Sequence, residues 1–383
     1  MKPCFWHLSL SMSTNPRARA WVELRADALR ANYDRIVQSV GPEVGVLPMV
    51  KADAYGLGVY GVVKVLEPLD PWGFGVATVS EGVALRHAGV VRPIVVCSPA
   101  PADDVAVAVE HDLQLSISSL RALEHTSGVA AAKDRTIGWH LDVDTGMGRS
   151  GFDFRTSSEW MPEVSRTRPG LRWVGCYTHL HSADEDADSI NRQWSRLEGV
   201  LKQSDALPAH FLVHVLNSAG SIRRLSRTGS LVRPGIFLYG GAVGEGQIRP
   251  EPLVSVHSRV VHVRDALTGT ELGYGSTYAA TVDEQWATLS IGYGDGLPRS
   301  LSNRGAALVS GRRVPIIGRI SMDVTVVNIT GILGVAEGTV ATLIGEQDGA
   351  SISVDDVAKA AGTISYEVLT GLTGRLPRVW AAT

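Results

Sequence analysis

The chain of 383 residues exceeds one ordinary domain of about 150 residues, although an α/β barrel alone takes up about 250. Its 44% hydrophobic and 20% charged residues sit near the globular average and exclude wholesale disorder. No run of about 18 apolar residues is present, which excludes a membrane-spanning helix, and a formal charge of −3 exerts no global pull toward nucleic acid.

Residues 1–18 carry one lysine and a broken apolar patch from Phe5 to Met12, with no small-residue cleavage site behind it. They read as a disordered extension, or as a start codon placed upstream of Met12, rather than as a signal peptide. The protein is expected to be cytoplasmic. Three scattered cysteines, Cys4, Cys97 and Cys176, fit neither a disulfide framework nor a zinc-spaced cluster, so no metal is expected.

From residue 19 to 249, eight short runs rich in Val, Ile and aromatics alternate with longer polar stretches. They are Val44–Val50, Trp72–Thr78, Pro93–Cys97, Leu113–Ile117, Ile137–Val143, Trp173–Thr178, Phe211–Leu216 and Leu231–Leu238. Asp27–Val40, Ser80–Ala88 and Asn191–Leu201 space their apolar positions as helices do. Strands apolar throughout and alternating with helices imply a buried parallel sheet. Eight such units in about 230 residues match a (β/α)8 barrel. An open doubly wound sheet would want a glycine-rich loop after its first strand, and Val50-Lys51-Ala52-Asp53-Ala54 offers none. From 250 to 383 the texture turns to short alternating stretches separated by Gly- and Asn-rich turns, the mark of a mostly antiparallel β domain.

In a barrel, function collects where strands end. The first strand run ends at Lys51, the fifth leads through Asp142 and Asp144 to Arg149, the sixth ends at His179, the seventh at Asn217-Ser218 and the eighth at Arg233. Singly, His179 reads as a core histidine, and Arg149 and Arg233 as ion-pair partners. Lys51 stands out, because only six of the 36 basic residues are lysines and this one directly follows the apolar run Val46–Val50. Such a lysine is expected to be partly desolvated, which exposes the neutral amine that forms a Schiff base. A cationic rim around it suits an anion. Pyridoxal phosphate, an aldehyde bearing a phosphate, satisfies both.

The segment Val50-Lys51-Ala52-Asp53-Ala54-Tyr55-Gly56-Leu57-Gly58 resembles the cofactor-lysine signature of the alanine racemases, pyridoxal-phosphate enzymes with a barrel and a C-terminal β domain. Further blocks match in order, among them Asp144-Thr145-Gly146-Met147-Gly148-Arg149, Asn217-Ser218-Ala219, Arg233-Pro234-Gly235-Ile236, Gly273-Tyr274-Gly275, Gly292-Tyr293-Gly294-Asp295-Gly296, Ser321-Met322-Asp323 and Tyr366-Glu367. The resemblance implies a homodimer with shared active sites. In it Lys51 holds pyridoxal 5'-phosphate and serves as one acid/base, and Tyr274 of the partner subunit serves as the other, supported by His179. It further implies that Tyr55, Ser218 and Tyr366 bind the phosphate and that Arg233 faces the ring nitrogen. Arg149 and the backbone around Met322 of the partner subunit would take the substrate carboxylate, and Tyr293 with Tyr366 would form a narrow gate. The implied reaction is racemisation of a small amino acid, foremost alanine, with neither nucleic acid nor membrane as partner. Within this frame the alternatives are a serine or broader-specificity racemase, a non-catalytic pyridoxal-phosphate carrier, and a related aldolase or decarboxylase.

One position departs from the pattern. The family usually has a lysine, in many members carbamylated, where this chain has Asp142. The carboxylate brings a negative charge without carbon dioxide, but on a shorter arm, so a bridging water or ion between Asp142 and Arg149 is expected.

Overall fold

The computed structural model describes residues 18–204, 207–223, 225 and 227–381. All but one residue of the extension expected over 1–18 therefore lies outside the described residues.

Each of the eight expected runs contains a strand. These are Gly45–Val46, Phe74–Val76, Ile94–Val96, Gln114–Ile117, Ile137–Asp144, Leu171–Tyr177, Leu212–His214 and Leu231–Val232. Six of them pair in parallel from Phe74–Val76 round to Leu212–His214. Single parallel bridges, Met49 to Gly75 and Asn217 to Arg233, join that path to the parallel pair Leu231–Val232 and Gly45–Val46, which closes the barrel. Residues such as Ile94, Val95 and Val96 are fully buried, as expected for strands with the barrel interior on one face and helices on the other.

The surrounding helices start at sequence-encoded caps. Thr78 and Glu81 form a reciprocal capping box at the start of Val79–His87, Ser119 caps Leu120–Ala132 and Asp186 caps Ala187–Leu201. In each, a side-chain oxygen takes an amide hydrogen that the first helical turn leaves unpaired.

Of the remaining strands, Glu271–Leu272 and Tyr278–Ala279 pair only with each other, Phe152–Asp153 pairs with Ile137–Asp144, and nine form one sheet, mostly antiparallel and organised on the long strand Val254–Ala266. Its composition differs from the expectation at both ends of the chain. Ala20–Leu24 does not join the barrel, although the sequence reading grouped it there. It pairs antiparallel with Val254–Ala266, with Trp21 opposite His257, and parallel with Arg378–Trp380. The reason is non-local: nothing in Ala-Trp-Val-Glu-Leu distinguishes a barrel strand from a sheet strand. Two short helices, Val354–Ala361 and Ser365–Gly371, also interrupt what reads as an all-β region. Among the described residues no helix is long and apolar enough to cross a membrane.

Candidate active site

The first barrel strand delivers the chain into an unusual turn. Ala52, Asp53, Ala54 and Tyr55 all have positive φ, between 51° and 58°. The left-handed conformation costs an L-residue about 1–2 kcal/mol, and runs of it are rare, so the surroundings must over-determine it. They do so closely. The Ala54 amide donates to Val50 O at 2.9 Å, the Gly58 amide to Asp53 O at 3.0 Å and the Val59 amide to the Asp53 carboxylate at 2.7 Å. A Cβ at Gly56, where φ is +80°, would stand 2.5 Å from Leu369 O, so the turn lies flush on the helix carrying Tyr366. Just upstream, the buried Tyr239 hydroxyl donates to Met49 O at 2.8 Å. The turn thereby aims two residues four positions apart, the half-buried Lys51 and the buried Tyr55, into one cavity of about 330 Å³ at the C-terminal end of the barrel. Its volume lies within the range of small-ligand sites.

Arg233 forms the floor. It is 4% exposed, and its guanidinium donates to Nδ1 of His214 at 3.0 Å, to His214 O and to Thr178 O at 2.8 Å. An arginine cannot accept a hydrogen bond, so Nδ1 of His214 must be the acceptor and its Nε2 carries the hydrogen. That Nε2 lies 2.9 Å from Nδ1 of His140, and Nε2 of His140 lies 2.7 Å from Gln114 Oε1. The donors therefore run in one direction from Arg233 to Gln114, and both rings are neutral. Burial, reinforced by the Arg233 charge, holds His140 down to about 3 and His214 well below its ordinary value, with His140 contributing there too.

At one wall, Ser218 Oγ accepts the amides of Gly235 at 2.7 Å and Phe237 at 3.3 Å, which leaves its own hydrogen to donate elsewhere. Ser218 opens a short helix capped by Asn217, whose side chain accepts the Gly220 amide at 3.0 Å. Tyr55 packs with its ring centroid 4.7 Å from that of Tyr239 and 6.0 Å from that of Tyr366. A Cβ at Gly235 would collide with the Tyr55 hydroxyl, so glycine is required there. Burial pushes Tyr55 above its usual range and Tyr366 up to about 12, so both hydroxyls keep their hydrogens.

His179 lines the opposite wall. Burial, with Arg233, Arg149 and Lys51 adding repulsion, lowers it to about 3, so its ring is neutral. Its carbonyl accepts from the buried Gln193 amide at 3.0 Å. Arg149 is exposed at the cavity edge. Among the described residues no ion pair joins it to Asp142. The buried Asp142 carboxylate instead accepts the hydroxyls of Ser118 and Ser150, each at 2.9 Å. Ser150 is the residue after Arg149, so the connection runs through the backbone. Burial raises the Asp142 pKa, against the pull of the two hydroxyls and of Arg233 and Arg149.

Seven of the ten residues singled out in the sequence, Lys51, Tyr55, Arg149, His179, Ser218, Arg233 and Tyr366, line this cavity. Tyr274, Tyr293 and Met322 do not. They are 69%, 41% and 53% exposed, in turns between strands of the C-terminal region. There the Tyr293 amide donates to Ser321 O at 3.0 Å and the Gly294 amide to Met322 O at 2.8 Å. The sequence reading missed His140, His214, Ser118, Ser150 and Glu81. Of these only Glu81 carries a local signal, the Thr78-x-x-Glu81 spacing of a capping box.

The donor set lining the cavity fits a phosphorylated aldehyde: an amine in Lys51, hydroxyl donors in Ser218, Tyr55 and Tyr366 that suit an anion, and a fixed cation in Arg233. Comparison with known proteins points the same way. The alanine racemase N-terminal domain model matches residues 24–243, and the C-terminal domain model residues 253–380. Alanine racemase 2 of Caldanaerobacter subterraneus is 34% identical over 366 residues, covering 94% of either chain. The structure of the Bacillus anthracis alanine racemase with bound L-Ala-P matches with a TM-score of 0.88 at 31% identity, over 97% of each chain. The Bartonella henselae enzyme with covalently bound pyridoxal phosphate matches at 0.85 and 28% identity, over 95% of this chain and 99% of that one.

Proposed function

Since the chain belongs to the alanine racemase family and is thereby an amino-acid racemase, we propose that it interconverts L- and D-alanine using pyridoxal 5'-phosphate held on Lys51. The observation that carries this reading is the convergence of Lys51, Arg233, Ser218 and Tyr55 on one cavity. The cofactor supplies an aldehyde for attachment and a conjugated ring that takes up the electron pair left when the substrate Cα loses its proton.

The chain's own groups do the rest. Lys51 holds the cofactor and moves a proton on one face of Cα. The Ser218, Tyr55 and Tyr366 hydroxyls donate to the phosphate. Arg233 faces the ring nitrogen and, unable to surrender its proton, leaves that nitrogen unprotonated. The neutral chain of His214, His140 and Gln114 keeps the guanidinium from turning. Arg149 takes the substrate carboxylate.

Inversion needs a second acid/base on the opposite face, and Tyr274 does not line the cavity of its own chain. Tyr274, Tyr293 and Met322 are exposed in the single chain and open to a partner. A homodimer that lays this face over the partner's cavity supplies the missing groups. Tyr274 of the partner subunit is then the second acid/base, with the neutral His179 as hydrogen-bond partner. Met322 of the partner subunit completes the carboxylate site, and Tyr293 and Tyr366 restrict side-chain size. A non-catalytic carrier is not favoured, because a second sheet matching the C-terminal family domain is present.

Incubation with L-alanine and, separately, L-serine in heavy water with the cofactor tests the reading. D-alanine carrying deuterium at Cα is expected, with serine turned over more slowly. Faster inversion of serine would overturn the substrate assignment, and no D-isomer from either would sink the proposal.

A further inference from the structure

The left-handed turn separates the Lys51 amine from the Tyr55 hydroxyl, yet both must meet the same small group. Backbone bonds hold the turn from Val50 to Gly75 at its entry and from Gly58 to Asp53 at its exit, and two charged side chains add to them. At its entry, Glu81 Oε1 accepts the Ala52 amide at 2.6 Å, while Oε2 accepts the Ala77 amide at 2.8 Å and the Thr78 amide at 3.2 Å. At its exit, Arg378 donates to Gly56 O from Nε at 3.0 Å and from Nη2 at 2.5 Å. The same guanidinium donates to the carbonyls of Leu372, Thr373 and Leu376. Neither residue lines the cavity.

We propose that Glu81 and Arg378 are positioning residues, which set Lys51 and Tyr55 in place by clamping the two ends of the turn between them. The proposal rests on the reading of Lys51 as the cofactor's attachment point. Helix capping alone does not account for Glu81. A capping box calls on the carboxylate only for the N-cap amide, whereas one whole oxygen here reaches an amide in a different barrel loop. A carboxylate only accepts and a guanidinium only donates, and each faces the matching end of the turn. Glutamine at 81 has one accepting and one donating end, so it can keep the helix cap or the Ala52 contact but not both.

The test uses the full-length holoenzyme and the variants E81Q, R378K and T78A. Borohydride reduction followed by peptide mapping locates the cofactor. Its release is timed with hydroxylamine as a competing amine, and kcat and KM are measured for alanine. E81Q and R378K are expected to release cofactor about tenfold faster and to lose about tenfold in kcat, with KM within about twofold, as sub-ångström misplacement of a reacting group would do. T78A removes the other half of the capping box and spares the Ala52 contact, so it is expected to stay within about twofold of wild type in both readouts. Wild-type-like release and kcat in E81Q and R378K would overturn the proposal, as would T78A matching E81Q. If E81Q does not fold, R378K against T78A decides by the same criteria. Reduction that labels a residue other than Lys51 in the wild type would overturn the functional reading itself.

Discussion

Arg233 and His214 are locked together twice, by a side-chain bond of 3.0 Å from the guanidinium to Nδ1 and by a second to the His214 carbonyl. This pairing fixes the tautomer of His214 and, through it, that of His140. Both rings are charged in an acid-unfolded chain and neutral in the fold.

Folded pKa values depressed below the ordinary value of about 6.5 mean that the unfolded state binds more protons in between, so stability rises with pH across that window. His140, held to about 3, contributes fully above 6.5 and progressively less as the pH falls toward 3. Going from pH 7 to pH 5 should remove roughly 1–2 kcal/mol for each of the two rings. Urea midpoints of the holoenzyme at both pH values check this. His140→Gln should flatten the dependence, and an unchanged slope would contradict the neutral-ring account.

Gly235→Ala places a methyl where the Tyr55 hydroxyl now lies. The nearest atoms that the methyl meets all belong to the Tyr55 side chain, so the effect falls on that ring. Loss of one hydroxyl donor to an anion should weaken cofactor retention about tenfold, measured by equilibrium dialysis. Retention at the wild-type level would remove Tyr55 from the phosphate set.

Asp142 holds Ser150, the neighbour of Arg149, with a carboxylate that needs no carbon dioxide to form. Activity should not respond to added bicarbonate. Asp142→Leu strands two serine hydroxyls and frees Ser150, so KM for alanine should rise about tenfold with kcat less affected. An unchanged KM would show that Asp142 does not help place Arg149.

Much of this was readable in the chain and some was not, for physical reasons. Barrel strands such as Ile94–Val96 announce themselves because a strand buried on both faces has no polar positions to break its apolar run. Lys51 was legible because a charged residue closing such a run is costly without a use. Ala20–Leu24 was misplaced because its partners lie at the far end of the chain. The helix Val354–Ala361 carries a capping box at Ser353 and Asp356, yet sits among strand-like stretches that outvoted it. The Asp142 clamp could not be read at all, since Ser118 is 24 positions away and only the barrel's curvature brings it near.

Tyr274 is exposed in a single chain, so Tyr274→Phe should leave the folding stability of the protomer within about 0.5 kcal/mol. It should nevertheless slow proton abstraction from one enantiomer of alanine more than from the other. Lys51→Ala and Tyr274→Phe chains, each impaired alone, should gain activity on mixing, because one of the two cavities in a mixed dimer then holds both wild-type groups. Mixed dimers without activity would exclude the shared site.

The pairing of Ala20–Leu24 between Val254–Ala266 and Arg378–Trp380 has a bearing on how the protein is made. During synthesis the barrel's strands emerge early and can assemble, but Ala20–Leu24 must wait for both its neighbours. One of them, Arg378–Trp380, is made long after Ala20–Leu24. The second sheet therefore completes only once Arg378–Trp380 has been made. A ribosome stalled short of Arg378 would hold a formed barrel with an open sheet edge, and without the guanidinium that holds Gly56.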